Sequence, residues 1–381
     1  PYIYKTENYG KNWTLITNGN NGIPKDVPTR VIREDPEREG LLYAGTEYGM
    51  YISADDGNSW NFFQQNLPVT PVTDLKIHRG DMVLSTMGRG FWILDKLNPL
   101  RQKDLNALNE LHLFKPANTI RYRTPSGAWN SSRPSYPDPG VVLDYFLPEK
   151  SEVPVKLEIR DTAGNILVAF SSDSIPASAS GPRRDMGTNF TEFLVSESLT
   201  KNKGLNRFRW DMTVAGPWSS NENRSYRNGP MAAPGQYTAV LTHGSGTSSQ
   251  DFELVLDPRV MAAGIDVAQV KEQVEFQMAV RDKLSETYQF QDALEKEIEE
   301  LESKKGQSPS EQSRLTALEE VLAKVKTEEG IYMQPMLADQ WRYLYYMMNQ
   351  ADQVPGRDAR QRFTELTGQL EGLKSQAVLK E

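Results

Sequence analysis

Two adjacent carboxylates, Asp55 and Asp56, stand in the stretch SADDGNSW beside a glycine and a tryptophan. A pair of carboxylates flanking one bond is the machinery of glycoside hydrolysis, one serving as acid and the other as base or nucleophile. Four more, Glu47, Asp74, Asp81 and Asp95, fall at the ends of predicted strands, but nothing in their spacing selects a pair. The three histidines, His78, His112 and His243, are scattered over different elements. That scatter argues against a histidine metal cluster or a Ser-His-Asp triad. With no cysteine, disulfides, thiolate zinc sites and cysteine nucleophiles are excluded. No Gly-rich phosphate loop is present. The sequence therefore assigns no catalytic residue, no metal ligand and no cofactor.

The elements that must hold these residues give Asp55 another task. YKTENYGKNWTLI (4–16) and YISADDGNSWNFF (51–63) align at a constant offset of 47 residues. Thr6 falls on Ser53, Asn8 on Asp55, Gly10 on Gly57 and Trp13 on Trp60. Each copy is followed by a polar stretch ending in proline and then an alternating strand, TRVIRED or TDLKIHR. A third, partial copy, MVLSTMGRGFWIL (82–94), echoes LLYAGTEYGMYIS (41–53) with Thr86 under Thr46, then departs at Asp95-Lys96. Short strands repeating every forty-odd residues are the period of a four-stranded propeller blade. Asp55 is then a turn former and Asp56 a solvated turn residue.

The expected fold is mainly β with an α-helical C-terminus. Residues 1–98 read as the last blades of a β-propeller whose other blades lie upstream or in another chain. Residues 99–140 read as a connector, rich in Pro, Ser and Gly. Period-two alternation over 141–147, 155–161, 166–172, 206–212, 236–242 and 251–257 predicts a β-sandwich of Ig/FnIII-like type across 141–262. Two long insertions, 173–204 and 213–234, interrupt it. The turn DTAGN (161–165) predicts a hairpin. Residues 263–381 change to helical periodicity and read as an antiparallel bundle of four helices. One starts near Asp266, and another is opened by Ser308 with Pro309 and Glu311.

The Ser/Thr-x-Asp/Asn-x-Gly-x-x-Trp pattern is the Asp-box, and it resembles the repeats of sialidases, of some glycoside hydrolases and of sortilin-type propellers. RVIREDPEREGLLYAGTEYGMYISADDGNSW, LPVTPVTDLKIH and STMGRGFWILD look like the last blades of bacterial sortilin-like (VPS10-type) Asp-box, or BNR-repeat, proteins, while NRFRWDM, PGQYTAVLT and DPRV look like the sandwich that follows them. The resemblance implies that Thr6, Asn8, Gly10, Trp13, Ser53, Asp55, Gly57 and Trp60 are structural. Met87 stands where relatives commonly carry a histidine before Gly-Arg-Gly. A sialidase would need an arginine cluster, for which Arg30, Arg33 and Arg89 qualify by residue type alone.

These readings predict a non-catalytic secreted, periplasmic or cell-surface bacterial protein that binds a protein or peptide, or forms part of an extracellular assembly. The alternative is a glycoside hydrolase whose catalytic residues lie in upstream blades. A net charge of −8 with interspersed signs argues against nucleic acid, and no apolar run is long enough to span a membrane. The candidate binding residues are Arg89, which either bridges blades or faces the propeller channel, and the aromatic and arginine set Trp218, Arg224, Tyr226 and Arg227. Such side chains concentrate in interface hot spots, so Trp218 and Tyr226 are expected to be substantially buried.

Overall fold

The computed structural model describes residues 2–105, 107–123, 139–173, 199–220, 229–304, 306 and 308–377. The chain divides into two compact units. The first comprises 1–117, 142–151 and 202–207; the second comprises 118–141, 152–201 and 208–381.

The first unit is built on the repeat. Strands β1 (Tyr4–Lys5) and β2 (Thr14–Leu15) form a two-stranded sheet. The next copy is complete: β3 (Thr29–Glu34), β4 (Leu42–Thr46), β5 (Gly49–Ser53) and β6 (Asn61–Phe62) pair in chain order. A third sheet holds β7 (Val72–His78), β8 (Asp81–Thr86) and β9 (Phe91–Leu94). The register carries the offset of 47: Tyr4 pairs with Leu15 as Tyr51 pairs with Phe62. The first strands of the two larger sheets carry the same irregularity, between Thr29 and Val31 and between Val72 and Asp74. A bulge that recurs at one repeat position is part of the design. Two apolar clusters hold these sheets together. One gathers Val31, Leu41, Tyr43, Met50, Val72, Leu75 and Leu84, and the other Ile3, Ile23, Leu42, Ala44, Tyr51 and Trp60.

A three-residue link after β9 leads to a short helix, α1 (Asn98–Gln102), followed by β10 (His112–Leu113), β11 (Thr119–Arg121) and β12 (Val141–Leu147). Asp35 fastens α1 to the repeat. It is buried and accepts hydrogen bonds from Tyr43 Oη and Arg101 Nε, each at 3.0 Å. Burial and the facing carboxylate hold the Tyr43 phenol far above its ordinary range, so it stays a donor.

Strands β13 (Val155–Arg160), β14 (Ile166–Ser171), β15 (Gly204–Trp210), β16 (Gly235–His243) and β17 (Gly246–Leu256) follow. β10, β12 and β15 form a three-stranded sheet, and β11-β17-β16-β13-β14 a five-stranded one in which β11 runs parallel to β17. Asp161 closes the β13–β14 hairpin, its carboxylate accepting from the Ala163 and Asn165 amides at 2.9 Å. Alternate residues, Val155, Leu157 and Ile159 on β13 and Ala239 and Leu241 on β16, are fully buried. Trp210 meets Tyr237 and Phe252 edge-on, with ring centroids 6.0 Å apart in both pairs.

Helices α2 (Pro258–Ala262), α3 (Val267–Glu302), α4 (Pro309–Val325), α5 (Leu337–Met348) and α6 (Arg357–Ala377) complete the second unit. The predicted cap forms, Ser308 closing a capping box with Glu311, and the structure adds a second at Asp266 with Gln269. One cluster joins the four longer helices through Leu284, Leu294, Leu318, Trp341, Tyr345, Leu366 and Leu370. The last carbonyls of α5 are served by side chains from α3, since Gln273 and Gln277, both fully buried, donate to Met348 O. The protein is thus mixed, with several small sheets and C-terminal helices. Among the described residues no helix is long and apolar enough to cross a membrane.

Candidate functional site

The two Asp-box turns fold by the same hydrogen bonds. Ser53 Oγ accepts from the Gly57 amide at 2.8 Å and donates to Asp55 Oδ1 at 2.8 Å, and Asp55 Oδ1 accepts from the Ser59 amide at 2.9 Å. In the first copy Thr6 Oγ1 accepts from the Gly10 amide and Asn8 Oδ1 from the Asn12 amide, both at 2.8 Å. Gly10 and Gly57 have φ of 85° and 84°, a left-handed conformation that favours glycine. Gly57 has a second constraint: a Cβ there would lie 2.7 Å from Ile16 Cδ1 of the preceding copy. These contacts leave the Asp55 carboxylate occupied by its own turn.

The Asp55 carboxyl is pushed up by burial, but hydrogen bonds from Ser59 and Ser53 outweigh this and hold its pKa below the ordinary value. A carboxyl depressed by folding stabilises the turn above its unfolded pKa, and that contribution fades as pH falls through the lower folded value. Asp55→Ala is expected to cost about 1–2 kcal/mol, because the turn amides lose their acceptor. Urea unfolding of wild type and variant measures this, and the gap should shrink as pH falls from the unfolded-state pKa of about 4 through the lower folded value.

Asp56 is more than a solvated turn residue. Lys5, from the first copy, donates to its carboxylate, and the Asp56 amide donates to Gly40 O at 2.9 Å. The carboxylates of Asp56 and Glu7 hold the Lys5 ammonium well above its ordinary range. Asn21 adds to the seam between copies, its amide nitrogen donating to Ile16 O and Gly57 O at 3.0 and 3.2 Å.

The sharpest contrast lies in the tryptophans. Trp60 is 4% exposed, with its indole N–H donating to Ile16 O of the first copy at 3.2 Å. Its repeat mate Trp13 is 59% exposed. Tyr51 and Tyr4, equivalent in register, divide the same way at 7% and 52%. What covers the second copy is the first copy. Among the described residues, nothing covers the first in that manner.

Three of the four strand-end carboxylates are engaged elsewhere. Glu47 pairs with Arg30, Asp74 with Arg33 at 2.8 Å, and Asp81 Oδ1 accepts from the Lys96 amide at 2.9 Å. His112 stacks edge-on to Phe114 with ring centroids 4.8 Å apart, and burial lowers its pKa. Among the described residues, no group of three or more His, Asp or Glu side chains could hold a metal ion. Arg89 lies exposed on the β8–β9 turn and makes no ion pair among the described residues; its carbonyl accepts from the Trp92 indole at 3.0 Å. It therefore does not bridge the described sheets. Trp218 is half-buried, with its amide donating to Ser285 Oγ of α3 at 3.0 Å. Arg224, Tyr226 and Arg227 lie outside the described residues.

One charged cluster escaped the sequence reading. Arg121 is fully buried, and its guanidinium meets Asp352 at 2.8 Å while Nε donates to Ala232 O at 2.6 Å. Arg123 reaches the other oxygen of Asp352 at 2.8 Å. The signal was present but inverted: in Thr119–Arg121 the alternation exposes Ile120 and buries the arginine.

The sequence matches no protein-family model and no curated protein. Among solved structures, the chain is similar to the extracellular domain of a protein described as a one-component system of B. thetaiotaomicron. The TM-score is 0.21 at 11% sequence identity. The alignment spans 67% of this chain and 28% of that one. A likeness at that level carries no argument about fold or function.

Proposed function

We propose that residues 1–98 are the terminal blades of a sortilin-like Asp-box propeller. On this reading the chain is a non-catalytic scaffold that binds a protein or peptide, or forms part of an extracellular assembly. The observation that carries it is the opposite burial of Trp13 and Trp60 at one repeat position. Trp60 is covered by Ile3, Ile16 and Ile23 of the copy before it. By the same register, the natural cover for Trp13 is another blade of this repeat, upstream in the polypeptide or from another chain. A secreted, periplasmic or cell-surface location follows from the resemblance of the repeats.

Support for a non-catalytic role comes from Glu47, Asp74 and Asp81: the first two pair with arginines of β3, and the third accepts from the Lys96 amide just after β9. A glycosidase needs one carboxyl held protonated and a second free to act on the same sugar. The test is turnover of aryl glycosides and aryl sialosides by residues 1–381. The expected result is release of aryl alcohol no faster than in buffer. Turnover that Glu47→Gln or Asp74→Asn abolishes, in a variant with unchanged melting temperature, would overturn the reading.

A further inference from the structure

Asparagine followed by glycine is the pair in which a polypeptide attacks its own side chain. The glycine nitrogen, with no Cβ beside it, closes on the asparagine Cγ when the two are held in reach. The pair occurs at 18–19, 21–22 and 228–229, and Asn228 lies outside the described residues. The first two share one loop, TNGNNG, between β2 and β3. Their surroundings are opposite.

Asn21 is half-buried and held at both polar atoms of its side chain. Its Nδ2 donates to Ile16 O, Gly57 O and Asn58 O at 3.0, 3.2 and 3.3 Å, and its Oδ1 accepts from the Asn18 amide at 3.2 Å. Its carbonyl accepts from the Trp60 amide at 2.7 Å, which fixes the Asn21–Gly22 peptide. A Cβ on Gly22 would stand 1.8 Å from Trp60 O, so that peptide also lies against the next copy. Ring closure at Asn21 requires these bonds to open together.

Asn18 is exposed. Among the described residues, neither its carbonyl nor the Gly19 amide makes a hydrogen bond. Its Oδ1 accepts from the Asn20 amide at 2.8 Å, an Asx turn that folds the carboxamide back along the Gly19 peptide. The Asp-Gly pair at 56–57 could close a ring in the same manner, but there the Gly57 amide is taken by Ser53 Oγ at 2.8 Å.

We infer that Asn18 is a site of spontaneous modification in the folded protein, and that the seam between copies shields Asn21 from the same reaction. Gly19 N bonds to Asn18 Cγ, the Cγ–Nδ2 bond breaks, and ammonia leaves carrying the proton that Gly19 N gives up. Water then opens the cyclic imide. Attack at Cγ leaves aspartate, and attack at the backbone carbonyl leaves isoaspartate, with one more carbon in the main chain. The net change is one water consumed, one ammonia released and one negative charge gained. The added carbon would fall between two contacts of the loop, Thr17 Oγ1 with the Ile3 amide at 3.1 Å and Asn21 with Trp60.

The test is to hold residues 1–381 in mildly alkaline buffer and digest samples with trypsin at intervals. Both pairs fall in one tryptic peptide, residues 12–25, and fragment masses assign each amide-to-acid change to its residue. In the folded chain Asn18 is expected to convert faster than Asn21 by about tenfold or more, because Asn21 reacts only from a locally opened state. In concentrated urea the seam is gone, and the two rates should converge. Asn18→Gln lengthens the ring that must close, and should remove the fast conversion while Asn21 stays slow. Asn21 converting as fast as Asn18 in the folded chain overturns the inference, as does neither converting there while both convert in urea. A preference for Asn18 that persists unchanged in urea also overturns it, since local sequence and not the fold would then set the rates.

Discussion

Asp352→Ala is expected to lower the stability of the second unit by about 3–5 kcal/mol, the largest effect of any single polar substitution named here. The carboxylate is 3% exposed and stands between Arg121, which is fully buried, and Arg123. Removing it leaves the buried Arg121 and the half-buried Arg123 with, among the described residues, the carbonyls of Ala232 and Asn349 as acceptors. A buried charge whose counterion is deleted cannot regain its hydration, and an arginine does not neutralise itself by losing a proton. Replacing Asp352 by Leu and Arg121 by Met together should cost less than Asp352→Ala alone, since the buried charge goes with its partner.

The same site has a pH signature. Burial pushes the Asp352 carboxyl up, but the two arginines outweigh it and hold its pKa below the ordinary value. Its contribution is therefore complete above the unfolded-state pKa of about 4 and is lost as pH falls through the lower folded value. Unfolding free energy followed by denaturant titration should fall with pH in that acid window, and the part due to Asp352 should be missing from Asp352→Asn.

Trp60→Ala is expected to destabilise the first unit by about 3–5 kcal/mol, whereas Trp13→Ala should change it by under about 1 kcal/mol. The two residues occupy one position of one motif, and their turns share the same hydrogen bonds, so motif chemistry predicts equal effects. Packing predicts unequal ones. Trp60 sits among Ile3, Ile23, Leu42, Ala44 and Tyr51, while Trp13 lies over its own Gly10, 3.7 Å from where a Cβ would stand. Denaturant unfolding followed by far-UV circular dichroism avoids the confusion of deleting a fluorophore.

The strand order of the repeat was legible because its turns use side chains with one physical purpose: a carboxylate or amide to accept turn amides, and a glycine where φ is positive. The helix start at Ser308 was legible for the same reason, since its capping box is local, and the start near Asp266 from the change to helical periodicity. The strands after residue 140 were found to within a few residues wherever apolar and polar positions alternate. β17 shows the limit. It begins at Gly246, and its first half, GTSSQ, is polar on both faces, so periodicity sees only a loop. β10 and β11 are too short for a period, and they lie in a stretch whose proline and serine content suggests a connector.

What the sequence concealed is long-range. Lys5 reaches Asp56 across 51 residues, and Arg123 reaches Asp352 across 229. Neither pairing leaves a local trace, and charged residues read singly look like solvated surface. Arg207 is a further case. It lies in an expected strand, but its guanidinium pairs with Asp144 at 2.7 Å and also donates to the carbonyls of Asp95 and Lys96. That bonding links β15 to the end of the repeat region within the first unit.

On the proposed reading, the face bearing Trp13 is the seat of a preceding blade. Hydroxyl-radical footprinting of Trp13 and Trp60, read by mass spectrometry, tests it most directly. The comparison is between residues 1–381 and a polypeptide in which a further copy of the repeat precedes residue 1. Trp13 is expected to be readily oxidised and Trp60 protected in residues 1–381, and Trp13 to fall to the level of Trp60 in the extended chain. Trp13 remaining as reactive in the extended, folded polypeptide as in residues 1–381 would contradict it.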